Sequence, residues 1–296
     1  MRILNIGSMN IDYVYKVEHI VSEGETQNVL LVETNVGGKG LNQSVAAARA
    51  GGTVFHAGMI GKEGKILIDF LKKSEVDISL VSLCDKAQGH AVIQVDKQGR
   101  NSILVYGGSN KMVTKEYIDK VLDEFSSEDI LMVNNEVSEA EYMLKKANEK
   151  EMITVFNASP IDNILLNMDL INVTYLVVNE IEGEALSGEK EPKMMLESIL
   201  HKYHDIKIIL TLGPDGSMYR DKEKTIYQGS YKVEAKDTTA AGDTYMGYLV
   251  AGLANGLQIE DCMKTASMAA ALAVMKCGAA ETIPDIEAVH KKLSGL

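Results

Sequence analysis

Six short, almost unbroken apolar runs recur along the chain. They are RILNIG (2–7), TVFHAGMI (53–60), ILMVN (130–134), ITVFN (153–157), YLVVN (175–179) and KIILTL (207–212). A strand with one wet face alternates apolar and polar residues; one buried on both faces does not. Helical patterns lie between the runs, at 42–50, 64–74, 114–125, 139–151 and 192–203. Strand, helix, strand in repetition predicts an α/β fold with a doubly wound, mostly parallel sheet covered by helices on both faces.

Two stretches break that rhythm. Residues 13–34 hold YVYKV, the turn SEGET and QNVLLVET; residues 91–106 hold AVIQVD, the turn KQGR and NSILVY. Both alternate with period two around a turn, which predicts antiparallel hairpins. They are expected to form a small β lid over the strand ends. No low-complexity linker sets the lid apart, so residues 1–296 are expected to form a single domain with the lid as a subdomain. Residues 259–276 and 245–257 read as helices, and the first, rich in Ala and Met, as a buried one.

Composition narrows the function classes. Hydrophobic residues make up 46%, enough for a core without metal or disulfide staples. Thirty basic against 42 acidic residues give a net charge of −12, with no basic stripe, which argues against a nucleic-acid partner. No run of about twenty apolar residues suggests a membrane span. The N-terminus reads as a buried first strand rather than a signal peptide. Cys84, Cys262 and Cys277 fit no zinc or CxxC spacing, and buried free thiols in a cytoplasmic setting are expected. His201 and His204 are spaced i, i+3 but lack partner motifs for a metal.

The chemistry gathers at strand ends. GSMNID (7–12), NNEVS (134–138), VVNEIEGE (177–184) and TLGPDGS (211–217) each follow an apolar run. GGKGLNQS (37–44) has three glycines before a helix and matches neither a Walker A loop nor GxGxxG. DTTAAGDTYMGYL (237–249) places Asp243 after three small residues where a helix begins. An acid there complements the helix dipole by less than about 1 kcal/mol. It can also be a reacting group beside an anion site, because the first-turn N–H groups of a helix lack partners and small residues let a ligand approach. Asn10 and Asp12 alternate and are expected on one side of their strand. Ligands of open α/β sheets bind at such strand ends. No Ser-His-Asp or Cys-His arrangement competes.

In this order, GSMNID, GET (24–26), GGKGLNQS, NNE, NEIE (179–182), TLGPDGS and DTTAAGDT resemble the ribokinase family, the PfkB group of carbohydrate and nucleoside kinases. The match runs from Gly7 to Pro284. The resemblance implies a three-layer α/β/α fold with a β lid, and an ATP-dependent kinase acting on a sugar primary hydroxyl, with D-ribose the first candidate. A nucleoside kinase or a fructokinase-like enzyme is the alternative, and a non-catalytic sugar sensor is a further one.

By the same resemblance, Asp243 is the catalytic base and Ala240, Ala241 and Gly242 form the anion hole. Asn10, Asp12, Gly38, Lys39, Asn42 and Glu136 hold sugar hydroxyls. Asn179, Thr211, Gly213 and Gly216 line the ATP site with Gly242, and Glu182 meets Mg2+ through water. Asp237, Thr239, Ala273, Lys276, Gly278 and Thr282 surround a monovalent cation such as K+. Two lids are expected to clasp in a homodimer through VLLV (29–32) and ILVY (103–106). Three places depart from the family pattern: Thr282 for serine, Ser44 for alanine, and Gln88-Gly89-His90 for a Thr-Gly pair.

Overall fold

All six apolar runs become parallel strands of one nine-stranded sheet. They are β1 (Arg2–Ile6), β4 (Thr53–Ile60), β8 (Ile130–Asn134), β9 (Ile153–Asn157), β10 (Tyr175–Asn179) and β11 (Lys207–Thr211). The coordinates, a computed structural model, describe residues 1–295. Three further strands close the sheet: β5 (Asp77–Leu83) beside β4, and the antiparallel β12 (Ser217–Arg220) and β13 (Thr225–Gln228) beyond β11. The order is β13-β12-β11-β10-β9-β8-β1-β4-β5.

Side chains alternate between two apolar cores, one on each face. Ile3 goes to the first, with Leu41, Val45, Met246, Leu249 and Met263; Leu4 and Ile6 go to the second, with Val121, Leu131, Met143 and Leu196. Helices α1 (Lys39–Arg49), α2 (Lys65–Lys73), α8 (Ala241–Ala254), α9 (Ile259–Ala273) and α10 (Ile286–Leu293) cover the first face. Helices α3 (Lys115–Leu122), α4 (Ala140–Glu149), α5 (Asn163–Leu166), α6 (Glu180–Ser187) and α7 (Pro192–Lys202) belong to the second. The three-layer α/β/α expectation holds. Helix α8 is buried from Asp243 to Gly252, and it lies against α1 because position 247 is glycine: a Cβ there would stand 2.4 Å from the Ala46 Cβ.

The second sheet, β3-β2-β6-β7, comprises β2 (Asn10–Lys16), β3 (Leu31–Gly37), β6 (His90–Val95) and β7 (Asn101–Tyr106). Two antiparallel pairs, β2–β3 and β6–β7, are joined by a parallel β2–β6 pair. The hairpins are present but their limits move. The lid takes in residues 10–12 and 35–37, while residues 17–30 form no regular strand. Asn10 and Asp12 therefore sit on a lid strand, not at the end of β1.

Other expectations shift as well. Helix α1 starts three residues before the predicted 42, and α9 ends at Ala273 rather than 276. Of the cysteines only Cys262 is buried; Cys84 is half-buried and Cys277 exposed. Among the described residues there is no cluster of three or more His, Cys, Asp or Glu that would hold a metal, and His201 and His204 are exposed. No helix among them is long and apolar enough to cross a membrane.

Candidate active site

Asp243 lies in the first turn of α8. Ala240 adopts a left-handed φ of 59° and is the N-cap, with no side-chain cap bond. Gly242 is exposed, and a Cβ on it would meet nothing within 4 Å. Open space thus faces the first turn, where the Ala241 N–H reaches the Thr238 carbonyl at 3.2 Å and the Gly242 N–H has no acceptor among the described residues. Asp243 is buried at 8% exposure, and its carboxylate turns toward α1. Oδ1 accepts from Gln43 Nε2 and Oδ2 from Asn42 Nδ2, each at 2.9 Å. A plain dipole-complementing acid needs no such grip. The Oδ1 of Asn42 and the Oε1 of Gln43 are buried without a partner among the described residues. Asn42 thus spends its donor on Asp243 and keeps an acceptor beside it.

Glu136, beyond the end of β8, closes the other side. Its Oε2 accepts from Ser8 Oγ and from the Lys39 backbone N–H at 3.2 Å. Ser8 Oγ in turn accepts from the Gly40 N–H at 3.2 Å. Burial would lower the pKa of the Lys39 ammonium, but the carboxylates of Asp243, Glu136 and Glu182 outweigh it and raise the pKa. Lys39 is a cation among three acids. On the lid, burial pushes the Asp12 carboxyl up to about 7, with Glu136 and Glu281 adding like-charge repulsion. A Cβ at position 37 would lie 2.1 Å from Asp12 Oδ2, so glycine makes room for that carboxylate. Gly38, with a φ of 89°, lets the chain turn into α1 against the backbone of Asn10.

Along the rim, Asn179 and Glu182 form a reciprocal capping box on α6. Asn179 Oδ1 accepts from the Glu182 N–H, and Glu182 Oε2 from the Asn179 N–H, each at 2.9 Å. Thr211 Oγ1 donates to the Val178 carbonyl at 3.3 Å. Gly213 faces open space, whereas a Cβ on Gly216 would come 2.1 Å from the Gln228 carbonyl oxygen. Gly216 is demanded by the turn into β12, with its strand neighbour pressed against it.

The loops expected around a monovalent cation do meet. Asp237 Oδ1 accepts from the N–H and hydroxyl of Thr239 at 2.9 and 2.6 Å, and Oδ2 from the Gly278 N–H at 3.1 Å. Burial works against the Asp237 charge, but these bonds and the Lys16 charge hold its pKa below the usual value. Thr282 is buried and its hydroxyl donates to the Ala279 carbonyl at 2.8 Å; the Ala273 carbonyl accepts from the Lys276 N–H at 3.2 Å. These are oxygen-rich turns around one carboxylate, a donor set that fits a hard cation. Arg49, in the last turn of α1, donates to the carbonyls of Ala280 and Ile283 and ties this segment to the helix that holds Asp243.

Ser8 and Gln43 stand inside the quoted motifs and Gln88 at a departure from the family pattern, but the part that each plays, like that of Asn110, emerges only in three dimensions. The nearest signal was the polar triplet Asn42-Gln43-Ser44 inside an otherwise apolar helix face. Ser44 serves a buried trio: its Oγ accepts from Asn5 Nδ2 and bonds His56 Nδ1, each at 2.8 Å. Burial lowers the His56 pKa to about 4, so its ring is neutral near pH 7. Surface cavities such as the one lined by Leu166, Ile171, Tyr203 and Ile206 lie away from these residues.

A sheet with its loops gathered at one edge, a β lid and an acid at an open helix start define an α/β enzyme of the sugar-kinase type. Residues 2–286 match the pfkB family carbohydrate kinase model. The ribokinase of Staphylococcus aureus (strain COL) is 32% identical, covering 98% of this chain and 99% of its own. The ribokinase structure from Thermotoga maritima superposes with a TM-score of 0.90 at 33% identity, with 99% of each chain covered. That of Arabidopsis thaliana, complexed with ribose and ATP, gives 0.86 at 26% identity over 99% of this chain and 98% of its own. The chain belongs to the pfkB family of carbohydrate kinases.

Proposed function

We propose that this chain transfers the γ-phosphoryl group of ATP to the primary hydroxyl of D-ribose. The observation that carries this reading is the Asp243 carboxylate, held by Asn42 and Gln43 beside the open first turn of α8. The similarity to ribokinases over nearly the whole chain directs the acceptor toward ribose.

Phosphoryl transfer passes through a loose transition state, so positioning and charge dominate. Asp243 takes the hydroxyl proton and aims the oxygen. The Gly242 N–H, with no acceptor among the described residues after the left-handed Ala240, receives developing negative charge, and the Ala241 N–H joins it by leaving the Thr238 carbonyl, 3.2 Å away. Asn10, Asp12, Lys39, Asn42 and Glu136 orient the sugar, with Gly38 opening the chain beside them. Asn179, Thr211 and Gly213 border the nucleotide, with Gly216 shaping the turn. Glu182, through water, would help hold Mg2+, which supplies charge neutralisation at the phosphates. Asp237, Thr239, Ala273, Lys276, Gly278 and Thr282 would surround K+ and so set the loop that leads into the anion hole.

Residues 1–296 act as a single domain in this reading, with the four-stranded sheet as a lid that excludes water. Leu31 and Val32 on one lid edge, and Ile103, Leu104, Val105 and Tyr106 on the other, are exposed apolar groups on edge strands. A second copy of the chain covers them in a homodimer. The free Cys262 thiol suits a reducing cytoplasm. A panel of ribose, fructose, adenosine and uridine with Mg-ATP tests the acceptor. Failure to phosphorylate any pentose ends the ribose reading, and turnover on adenosine or uridine alone makes the chain a nucleoside kinase.

A further inference from the structure

The chain passes from β1 into the lid through Met9, whose two backbone polar groups are both held by side-chain amides. Gln88 Oε1 accepts from the Gly61 N–H at 3.0 Å, which turns its Nε2 to the Met9 carbonyl at 2.6 Å. Asn110 Oδ1 accepts from the Met9 N–H at 3.0 Å, which turns its Nδ2 to Asn10 Oδ1 at 2.7 Å. The two ends of an amide look alike in shape, but a backbone N–H can only donate. The Met9 N–H therefore sets Asn110, and Asn110 sets Asn10. All three amide side chains are buried, at 2–5% exposure. Gly89 makes the space: a Cβ there would lie 2.3 Å from Asn110 Nδ2 and 2.6 Å from Asn10 Oδ1.

With its oxygen committed, Asn10 has only Nδ2 left to offer, and among the described residues Nδ2 has no protein acceptor. We propose that Asn110 is a positioning residue that makes Asn10 an obligate hydrogen-bond donor to the sugar. Asp12, two residues on and on the same side of β2, is the complementary acceptor. The pair then reads two hydroxyls, one whose oxygen accepts from Asn10 Nδ2 and one whose O–H donates to Asp12. This rests on the ribose-kinase reading given above.

The test is steady-state kinetics of Asn110→Asp with D-ribose, 2-deoxy-D-ribose and 3-deoxy-D-ribose at saturating Mg-ATP. The introduced carboxylate still accepts from the Met9 N–H but has no donor for Asn10. Asn10 then turns its Nδ2 away from the sugar. The KM for ribose is expected to rise roughly tenfold or more, the worth of one misplaced hydrogen bond, with kcat and the KM for ATP near their starting values. For the deoxy sugar that lacks the hydroxyl met by Asn10, wild type and variant should share one KM. Asn10→Ala with Asn110→Asp should be no worse than Asn10→Ala alone. Should Asn110→Asp not fold, Gly89→Ala displaces the same amide pair and should give the same split. An unchanged ribose KM, or equal losses on ribose and both deoxy sugars, overturns the proposal. A wild-type protein inactive on every pentose instead overturns the ribose reading itself.

Discussion

The two walls of the proposed sugar site, body and lid, hold their acids in opposite ways. On the body, Asp243 lies between the starts of α1 and α8, and each carboxylate oxygen has an amide donor 2.9 Å away. On the lid, Asp12 sits on a strand with Glu136 and Glu281 as its charged company, and burial with that repulsion pushes it up to about 7. The body wall is a rigid framework of packed helices that fixes one group in direction. The lid wall joins the core at its root, through Ile11 and Val36, while Leu104 and Val105 at its far edge are exposed. In the proposed kinase, chemistry belongs to the rigid wall, and the lid brings Asn10 and Asp12 to a sugar that Lys39, Asn42 and Glu136 also hold from the body, as expected of a lid that must open.

That division is broken or sharpened most strongly at Asp243. Asp243→Asn keeps the shape and removes the proton acceptor, so kcat should fall by about 10^2 to 10^4 with an unchanged circular dichroism spectrum. Near-normal turnover would remove Asp243 from the role of base. Next comes Asp12→Asn. A lost hydrogen bond to a charged group raises the sugar KM by about 10- to 100-fold, and kcat should move much less. If kcat fell as far as KM rose, the lid acid would share in the chemistry and the contrast between walls would fail. Gln43→Ala is smaller again. Gln43 touches Asp243 rather than sugar in the proposed arrangement, so kcat should drop about tenfold with little change in sugar KM. A KM effect alone would place Gln43 in the sugar pocket instead.

The two walls also differed in how legible they were. The central strands could be read because residues such as Leu131 to Val133 are buried on both faces and leave no polar alternation. Strands β5 and β13 were not singled out, since at the sheet margins DISLVSL and TIYQ carry mixed, half-exposed patterns, and the buried β12, SMYR, is only four residues long. The strand-end motifs marked the rim, and Asp243 with its small neighbours was visible as a helix start. What holds Asp243 was not. Gln43 is 200 positions away and Asn110 is 100 from Asn10. Nothing local in an amide says which partner tertiary packing will bring. Asn10 and Asp12 were placed at a body strand because the apolar run and the lid strand are separated by only Gly7, Ser8 and Met9.

The subtlest consequence of the contrast is thermodynamic. Asp12 has a folded-state value near 7 against an ordinary 3.8, so the folded chain binds that proton more tightly than the unfolded one. Stability contributed by this group is therefore full below about pH 4 and lost as the pH rises through 7. Above that the ionised carboxylate is a standing cost that an amide does not carry. Asp12→Asn should accordingly melt higher than wild type at pH 8, by about 2 °C or more for a chain of this size, and the gap should close by about pH 4. Scanning calorimetry of the sugar-free pair at pH 4, 6 and 8 reads it directly. A gap that stays constant with pH would mean the lid does not strain its acid. A gap that grows with pH while sugar KM worsens would show stability given up at one wall for substrate capture, with the body wall bearing none of that cost.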